Sequence, residues 1–181
     1  MSSISSVARQ DLVQQFETTA ISAAASVQRV PFTGGDLAAA VKKIAAARLA
    51  VAQTLDLPSE LFDELRKLPG VVTGRSKQEL AGCDVGVTEA FAGVARTGSV
   101  CVAVDHDYSG VISLLARMHV AVLSAETITE RPGDLFNLQF LNGKAVQRNF
   151  VFITGPSATA DMGPLVRGVH GPHLLHIIIL E

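Results

Sequence analysis

His119-Val120-Ala121-Val122-Leu123 and His176-Ile177-Ile178-Ile179-Leu180 are the runs on which the fold turns. Each has the length of a strand, and neither alternates apolar with polar side chains. A strand that is apolar on both faces is covered on both faces, which is the condition of a parallel sheet held between two layers. Further runs of the same texture stand at 85–87, 100–104 and 150–153, separated by polar or glycine-rich connections. The pattern predicts an α/β domain of three layers built on a mostly parallel sheet.

Upstream, the period changes to that of helices. Val7, Leu12, Val13, Phe16, Ala20, Ala23, Ala24 and Val27 recur three and four apart and predict a first helix over 7–27, with Arg9, Gln10, Gln14 and Glu17 on its polar face. A short extended piece at 27–30 precedes Pro31 and Gly34-Gly35, after which Asp36 opens a helix carrying Leu37, Val41 and Ile44. Residues 48–52 read as a short strand. Pro58 and Ser59 start a third helix with Leu61, Phe62, Leu65 and Leu68 inward, and Pro69-Gly70 stops it before a strand at Val71-Val72. Ser76 and Glu79 have the spacing of a capping box. Residues 134–141 read as a helix ended by Asn142-Gly143, with a hairpin turn as the competing reading. With no internal repeat and no low-complexity linker, one domain is expected over 1–181, helical to about residue 70 and α/β from about 71.

Composition narrows the function classes. Lys and Arg total 15 against 17 Asp and Glu, a formal net charge of -2 without a basic run, so phosphate-backbone binding has no electrostatic footprint. The chain has no Trp and only Tyr108, so a stacking platform for single-stranded bases is lacking too. Met1 to Ser6 lacks the basic start and apolar core of a secretory signal, and the longest apolar runs fall far short of the roughly 20 residues that cross a bilayer. A cytoplasmic protein without a membrane span is expected. Cys83 and Cys101 are the only cysteines, too few for a cluster that needs about four thiolates, so any iron-sulfur chemistry must come from another chain.

Ligands of open parallel sheets lie beyond the carboxyl ends of the strands, where free backbone N–H groups converge. That rule ranks three segments. The first is Thr154-Gly155-Pro156-Ser157-Ala158-Thr159-Ala160-Asp161 after the run at 150–153, in which Gly155 allows close backbone approach and Ser157, Thr159 and Asp161 offer polar groups. An ordinary capped strand-to-helix turn competes on equal terms. The second is Gly168-Val169-His170-Gly171-Pro172, where two glycines expose an imidazole suited to acid, base or anion-binding work. The competing reading is a histidine bonded to a loop carbonyl. His170, His173 and His176 do not make a zinc site, because Pro172 breaks any shared helical face and no further ligand stands nearby. The third comprises Thr88 and Glu89 with Thr97-Gly98-Ser99, which offer hydroxyls, a carboxylate and a backbone donor but match no phosphate-loop or dinucleotide fingerprint. The three segments are expected to meet at one edge of the sheet.

Gly86-Val87-Thr88-Glu89-Ala90, Thr97-Gly98-Ser99, Ser113-Leu114-Leu115 with His119, the run 154–161, and Gly168 to Pro172 followed by His176 resemble the signature series of the LUD-domain family. Within it they resemble the lactate-utilization protein C group in order and spacing, over nearly the whole chain. The resemblance implies a fold like that of the sugar-phosphate isomerase and CoA-transferase superfamily (NagB/RpiA/CoA transferase-like). It implies a non-redox role in oxidising L-lactate to pyruvate beside an iron-sulfur subunit and a cysteine-rich subunit, without a cofactor or metal of its own. A pocket for a small organic anion or a partner's cofactor goes with that role. Many members carry Arg at the position of Ala158, Glu at Gly163, Tyr at Phe91, Asp at Arg96 and Pro at Ala116, so two charges of the family pattern are missing from the first segment. The superfamily also contains independent enzymes, the alternative in which Glu89, Asp161 or His170 performs catalysis. A third reading is a scaffold whose motif residues only cap helices and shape a partner surface.

Overall fold

The computed structural model describes residues 6–44, 48–74, 76–161 and 163–181. In chain order the elements are α1 (Ser6–Ser22), β1 (Ser26–Val30), α2 (Gly34–Ile44), β2 (Leu49–Val51), α3 (Ser59–Arg66), α4 (Lys77–Ala81), β3 (Val85–Ala90) and β4 (Ala92–Val94). They continue with β5 (Ser99–Ala103), α5 (Ser109–Leu115), β6 (Met118–Ser124), β7 (Ile128–Thr129), β8 (Phe150–Ile153), β9 (Ala158–Thr159), β10 (Val166–Arg167) and β11 (Leu174–Leu180). The serine-rich opening read at the sequence level falls, up to residue 5, outside the described residues.

The runs at 119–123 and 176–180 lie side by side at the heart of a parallel sheet in the order β1-β11-β6-β3-β2. The two-residue period of a strand sends its apolar side chains to both faces. On one face Ala121, Leu123, Ile177 and Ile179 pack with Val13, Phe16 and Ala20 of α1 and with Val100 and Val102 of β5. On the other, Val120, Val122, Ile178 and Leu180 pack with Leu37 and Val41 of α2 and with Leu61, Phe62 and Leu65 of α3. This is the expected α/β architecture, with a mostly parallel central sheet between two covering layers.

One covering layer differs from expectation. The runs at 100–104 and 150–153 are not in the parallel sheet but in a second one, ordered β7-β4-β5-β8, in which β5 runs antiparallel to both neighbours. The reason lies in the connection. Only Ala95-Arg96-Thr97-Gly98 separates β4 from β5, and the Gly98 N–H returns to the Val94 carbonyl at 2.9 Å with φ at +65°. Such a short link makes an antiparallel neighbour, whereas a parallel pair needs a crossover of about a dozen residues. The apolar texture of β8 does not reflect burial either, since Val151 and Phe152 are 40% and 41% exposed.

Other expectations shift locally. The first helix stops at Ser22, and Ala24 (φ +67°) turns the chain so that Val27 belongs to β1. Val71 makes only an isolated bridge to Leu49 rather than a strand. The capping box forms, with Ser76 accepting from the Glu79 N–H and Glu79 from the Ser76 N–H. Residues 134–141 form neither an α-helix nor a hairpin. Two short 3-10 turns, Pro132–Phe136 and Phe140–Gly143, occupy the region, and the second is broken by the left-handed residues Leu141 and Asn142. Asp134 accepts from the Arg131 N–H at 2.9 Å, and the first turn ends where Asn137 becomes extended (ψ 121°).

Candidate functional site

The loops at 154–157 and 168–172 come together as expected. The Ser157 N–H donates to the Pro172 carbonyl at 3.0 Å, and the Gly168 N–H donates to the Ser157 carbonyl at 2.8 Å. Between them and α5 lies a cleft of about 260 Å³ lined by Ser113, Leu114, His119, Phe152, Thr154, Gly155, Ser157, His170, Gly171 and Leu175 among others. A second, wider hollow of about 700 Å³ shares Leu114, His170 and Gly171 with it and adds Arg117 and His173. The two form an inner and an outer chamber with His170 at their boundary.

This cleft is not at the carboxyl edge of the parallel sheet. His119 and Leu175 are the second residues of β6 and β11, so the cleft opens at the amino-terminal edge. The cleft lies at this edge, not at the expected one, because β8, which delivers the 154–157 loop, belongs to the second sheet. It runs antiparallel to β5, with Ile153 beside Val100, and so its carboxyl end arrives at the opposite edge.

His119 was legible only as part of a family pattern and not as a site residue. Its imidazole is 1% exposed, and Nε2 lies 2.8 Å from the Thr88 hydroxyl on the neighbouring strand. Burial lowers its pKa to about 4, which keeps the ring neutral at pH 7. Its Nδ1 has no hydrogen-bond partner among the described residues. A histidine inside an otherwise apolar strand is the one sequence signal that marks it. Ser113, which reaches the cleft from α5, and Arg117, which reaches the wider hollow from the turn after it, carry no such signal.

The candidates of the third segment divide. Thr88 faces His119 and stands behind the cleft wall. The Thr97 hydroxyl reaches Ser99 Oγ at 2.7 Å, and Ser99 Oγ reaches Thr154 Oγ1 at 2.6 Å, so both touch the cleft only through Thr154. Gly98 and Gly155 admit backbone, as expected of glycine, but the backbone is that of α1 at Gly98 and of the turn just after α1 at Gly155. A Cβ at Gly98 would stand 2.3 Å from the Ala20 nitrogen, and one at Gly155 2.0 Å from the Ala23 carbonyl oxygen. Glu89 points to the other end of β3, where its carboxylate accepts from the N–H groups of Leu55, Asp56 and Leu57. Burial raises its pKa, and these three donors oppose the rise. Thr159 and Asp161 are hydrogen-bonded to each other at 3.0 Å and line another hollow of about 340 Å³, which His170 also borders. Among the described residues no helix follows 154–161; the run itself carries β9, which pairs with β10, so the capped-turn reading does not hold.

A model of the LUD domain matches residues 13–180. The chain belongs to the LUD domain family. This LUD domain is 30% identical over 113 residues to "Lactate utilization protein C" of Oceanobacillus iheyensis, covering 60% of this chain and 48% of that protein. Over 93 residues it is 33% identical to the Bacillus subtilis protein of the same name, covering 49% and 39%. Over 101 residues it is 35% identical to that of Anoxybacillus flavithermus, covering 55% and 45%. The matched part of the chain thus spans about half the length of these relatives or less. The fold is that of a DUF162 family protein from Deinococcus radiodurans, whose crystal structure superposes with a TM-score of 0.69 at 20% identity over 96% of this chain and 98% of that one.

As for metals, the described residues of the LUD domain contain no group of three or more His, Cys, Asp and Glu placed to hold an ion. His176 is buried with Nδ1 2.7 Å from Ser26 Oγ, and the ring of His173 lies against Gly168, so the three histidines near the C-terminus do not converge. Cys83 and Cys101 are both buried, and burial pushes the Cys101 thiol up to about 12. Among the described residues no helix is long and apolar enough to cross a membrane.

Proposed function

We propose that this LUD domain is a non-redox subunit of a cytoplasmic lactate-utilization system, working beside iron-sulfur and cysteine-rich partners, and that its inner chamber holds a small organic anion. The observation that carries the reading is the meeting of Ser157, His170 and Gly171 at one cleft, in a chain whose relatives bear the name lactate utilization protein C. The exposed Arg117 of the outer chamber supplies positive charge that draws an anion in, with His170 and His173 beside it. The partners supply the electron acceptors. Catalysis by this chain alone is the weaker reading, because Glu89 is held at the far end of β3 and no carboxylate lines the cleft, Asp161 reaching only a neighbouring hollow that His170 also borders.

The test is a deletion strain complemented with the wild-type gene or with His170→Ala. The exposed imidazole makes no hydrogen bond within the described structure, so its loss should leave the melting temperature within about 1–2 °C. Growth on L-lactate and lactate-dependent dye reduction by the co-purified proteins should nevertheless fall by at least about tenfold. Full activity of a stable His170→Ala protein removes His170 from the site, and normal lactate growth of the deletion strain removes the function.

A further inference from the structure

Phe150-Val151-Phe152-Ile153 is the outermost strand of the second sheet, with β5 on one side and no strand on the other. In an antiparallel pair, directly opposed residues alternate between those that exchange backbone hydrogen bonds and those that do not. The Val104 N–H donates to the Asn149 carbonyl at 2.9 Å, so the bonded pairs that follow in register are Val102 with Val151 and Val100 with Ile153. Phe150 and Phe152 therefore turn both their N–H and their carbonyl groups away from β5. Among the described residues those groups make no other hydrogen bond. Natural sheets blunt such an edge with a charge, a proline or a covering loop. β8 contains neither Pro nor a charged residue, and Val151 and Phe152 stand open to solvent. The aromatic face beside the edge is open too: the Phe152 ring meets Phe150 edge to face at 5.3 Å, and Phe136, 54% exposed, lies 6.2 Å from Phe150.

We propose that β8 pairs antiparallel with β8 of a second copy of this chain, about a two-fold axis at Val151. The order of side chains selects that occupant. Phe150-Val151-Phe152 reads the same from either end, so the symmetric register sets Phe150 opposite Phe152 of the second copy on one face and Val151 opposite its own counterpart on the other. Aromatic meets aromatic and aliphatic meets aliphatic, and within the strand no charge meets a like charge. The outward N–H and carbonyl groups of Phe150 and Phe152 are then all answered, and two four-stranded sheets become one of eight strands. A strand of another sequence would find the same backbone groups without the matching of side chains. Phe152 also lines the inner chamber, so the pairing fixes one wall of the candidate site.

Sedimentation equilibrium of the purified full chain tests the pairing, and introduced cysteines locate it. Wild type should show a monomer–dimer equilibrium, and Val151→Lys, which brings like charges face to face at the axis, should raise the dissociation constant at least about tenfold. In the proposed register Val151 and its counterpart form a non-bonded pair with Cα atoms about 4.5 Å apart, within reach of a disulfide. Val151→Cys should therefore give a disulfide-linked dimer under mild oxidation. Phe152→Cys faces Phe150 of the second copy and should stay unlinked. Cys83 and Cys101 are buried, so wild type supplies no link of its own. A chain that is monomeric at every concentration overturns the proposal. So does a dimer that folded Val151→Lys leaves intact, or one in which Val151→Cys links no faster than Phe152→Cys. Should Val151→Lys fail to fold, the wild-type equilibrium and the two cysteine variants still decide.

Discussion

At Glu89 a carboxylate has been taken out of water and given the N–H groups of Leu55, Asp56 and Leu57 in exchange. A glutamate at the end of a strand reads as a candidate acid or base, but three donors from one loop describe an anchor. It ties the 53–57 turn to β3, and Asp56 in turn binds Lys144 and Arg148 at 2.6 Å each. Glu89→Gln keeps one acceptor and turns an N–H group toward the loop donors. The change should lower unfolding free energy by about 1–3 kcal/mol. Lactate-dependent dye reduction per folded protein should stay unchanged, because the residue is remote from the cleft. Urea melts beside that assay check this, and a stable variant with lost activity would restore Glu89 as a catalytic group. Nothing local distinguishes the two roles, since the partners of the carboxylate lie more than 30 residues away in sequence.

Among elements, α1 has the tightest fit. Its end presses on the turn at Gly98 and on Gly155, and both glycines have positive φ, +65° and +70°. Gly98→Ala meets backbone atoms of α1 and Gly155→Ala those of Ala23 just after it, in addition to the conformational strain, so each should cost about 2 kcal/mol or more. Gly35, inside α2 with nothing within 4 Å of an added Cβ, is the control: Gly35→Ala should be neutral or stabilising by up to about 1 kcal/mol. Three urea midpoints give the answer, and equal values for all three would show that α1 does not pack on these turns. The glycines of the motif were visible in the sequence, and so was their need for close approach. That the approaching group is a helix rather than a ligand was not, because α1 lies some 80 residues from Gly98 and more than 130 from Gly155.

Over the whole molecule, two buried histidines set the response to acid. Burial lowers the pKa of both His119, to about 4, and His176. A histidine depressed in the folded state contributes stability above its unfolded pKa of about 6.5 and loses it as pH falls through the folded value. The loss should therefore develop from about pH 6.5 downward. For His119 the fall from 6.5 to about 4 sets an upper limit of about 3.5 kcal/mol at about 1.4 kcal/mol per unit. Glu89, raised by burial, works in the opposite sense and gains as pH falls toward its own range. Asp56 is pushed up by burial, but its bonds to Arg148 and Lys144 win and lower it, so its contribution is lost only below the ordinary carboxylate range. Urea unfolding at pH 7.5, 6, 5 and 4.5 should show the decline in wild type and a flatter profile in His119→Phe. A flat wild-type profile would mean that His119 is not buried as a neutral ring.

The sequence alone determined the elements whose causes are local. Strand-length apolar runs marked β3, β6 and β11, spaced apolar residues marked α1, α2 and α3, and Ser76 with Glu79 marked α4. It also determined the kinship, through motifs spread from Gly86 to His176. Tertiary structure decided which runs share a sheet: the four-residue link between β4 and β5 made them antiparallel and took β8 with them. That placement moved the cleft from the carboxyl edge, where parallel sheets bind, to the amino-terminal edge. It also decided what each motif residue does. Ser113, His119, Phe152, Ser157 and His170 become neighbours only when α5, β6, β8 and two loops are assembled, while Glu89, two residues along the sheet from Val87, is carried to the other end. Periodicity and caps act over a few residues and can be read along the chain, whereas a pocket is a coincidence of segments distant in sequence, set by strand direction and packing.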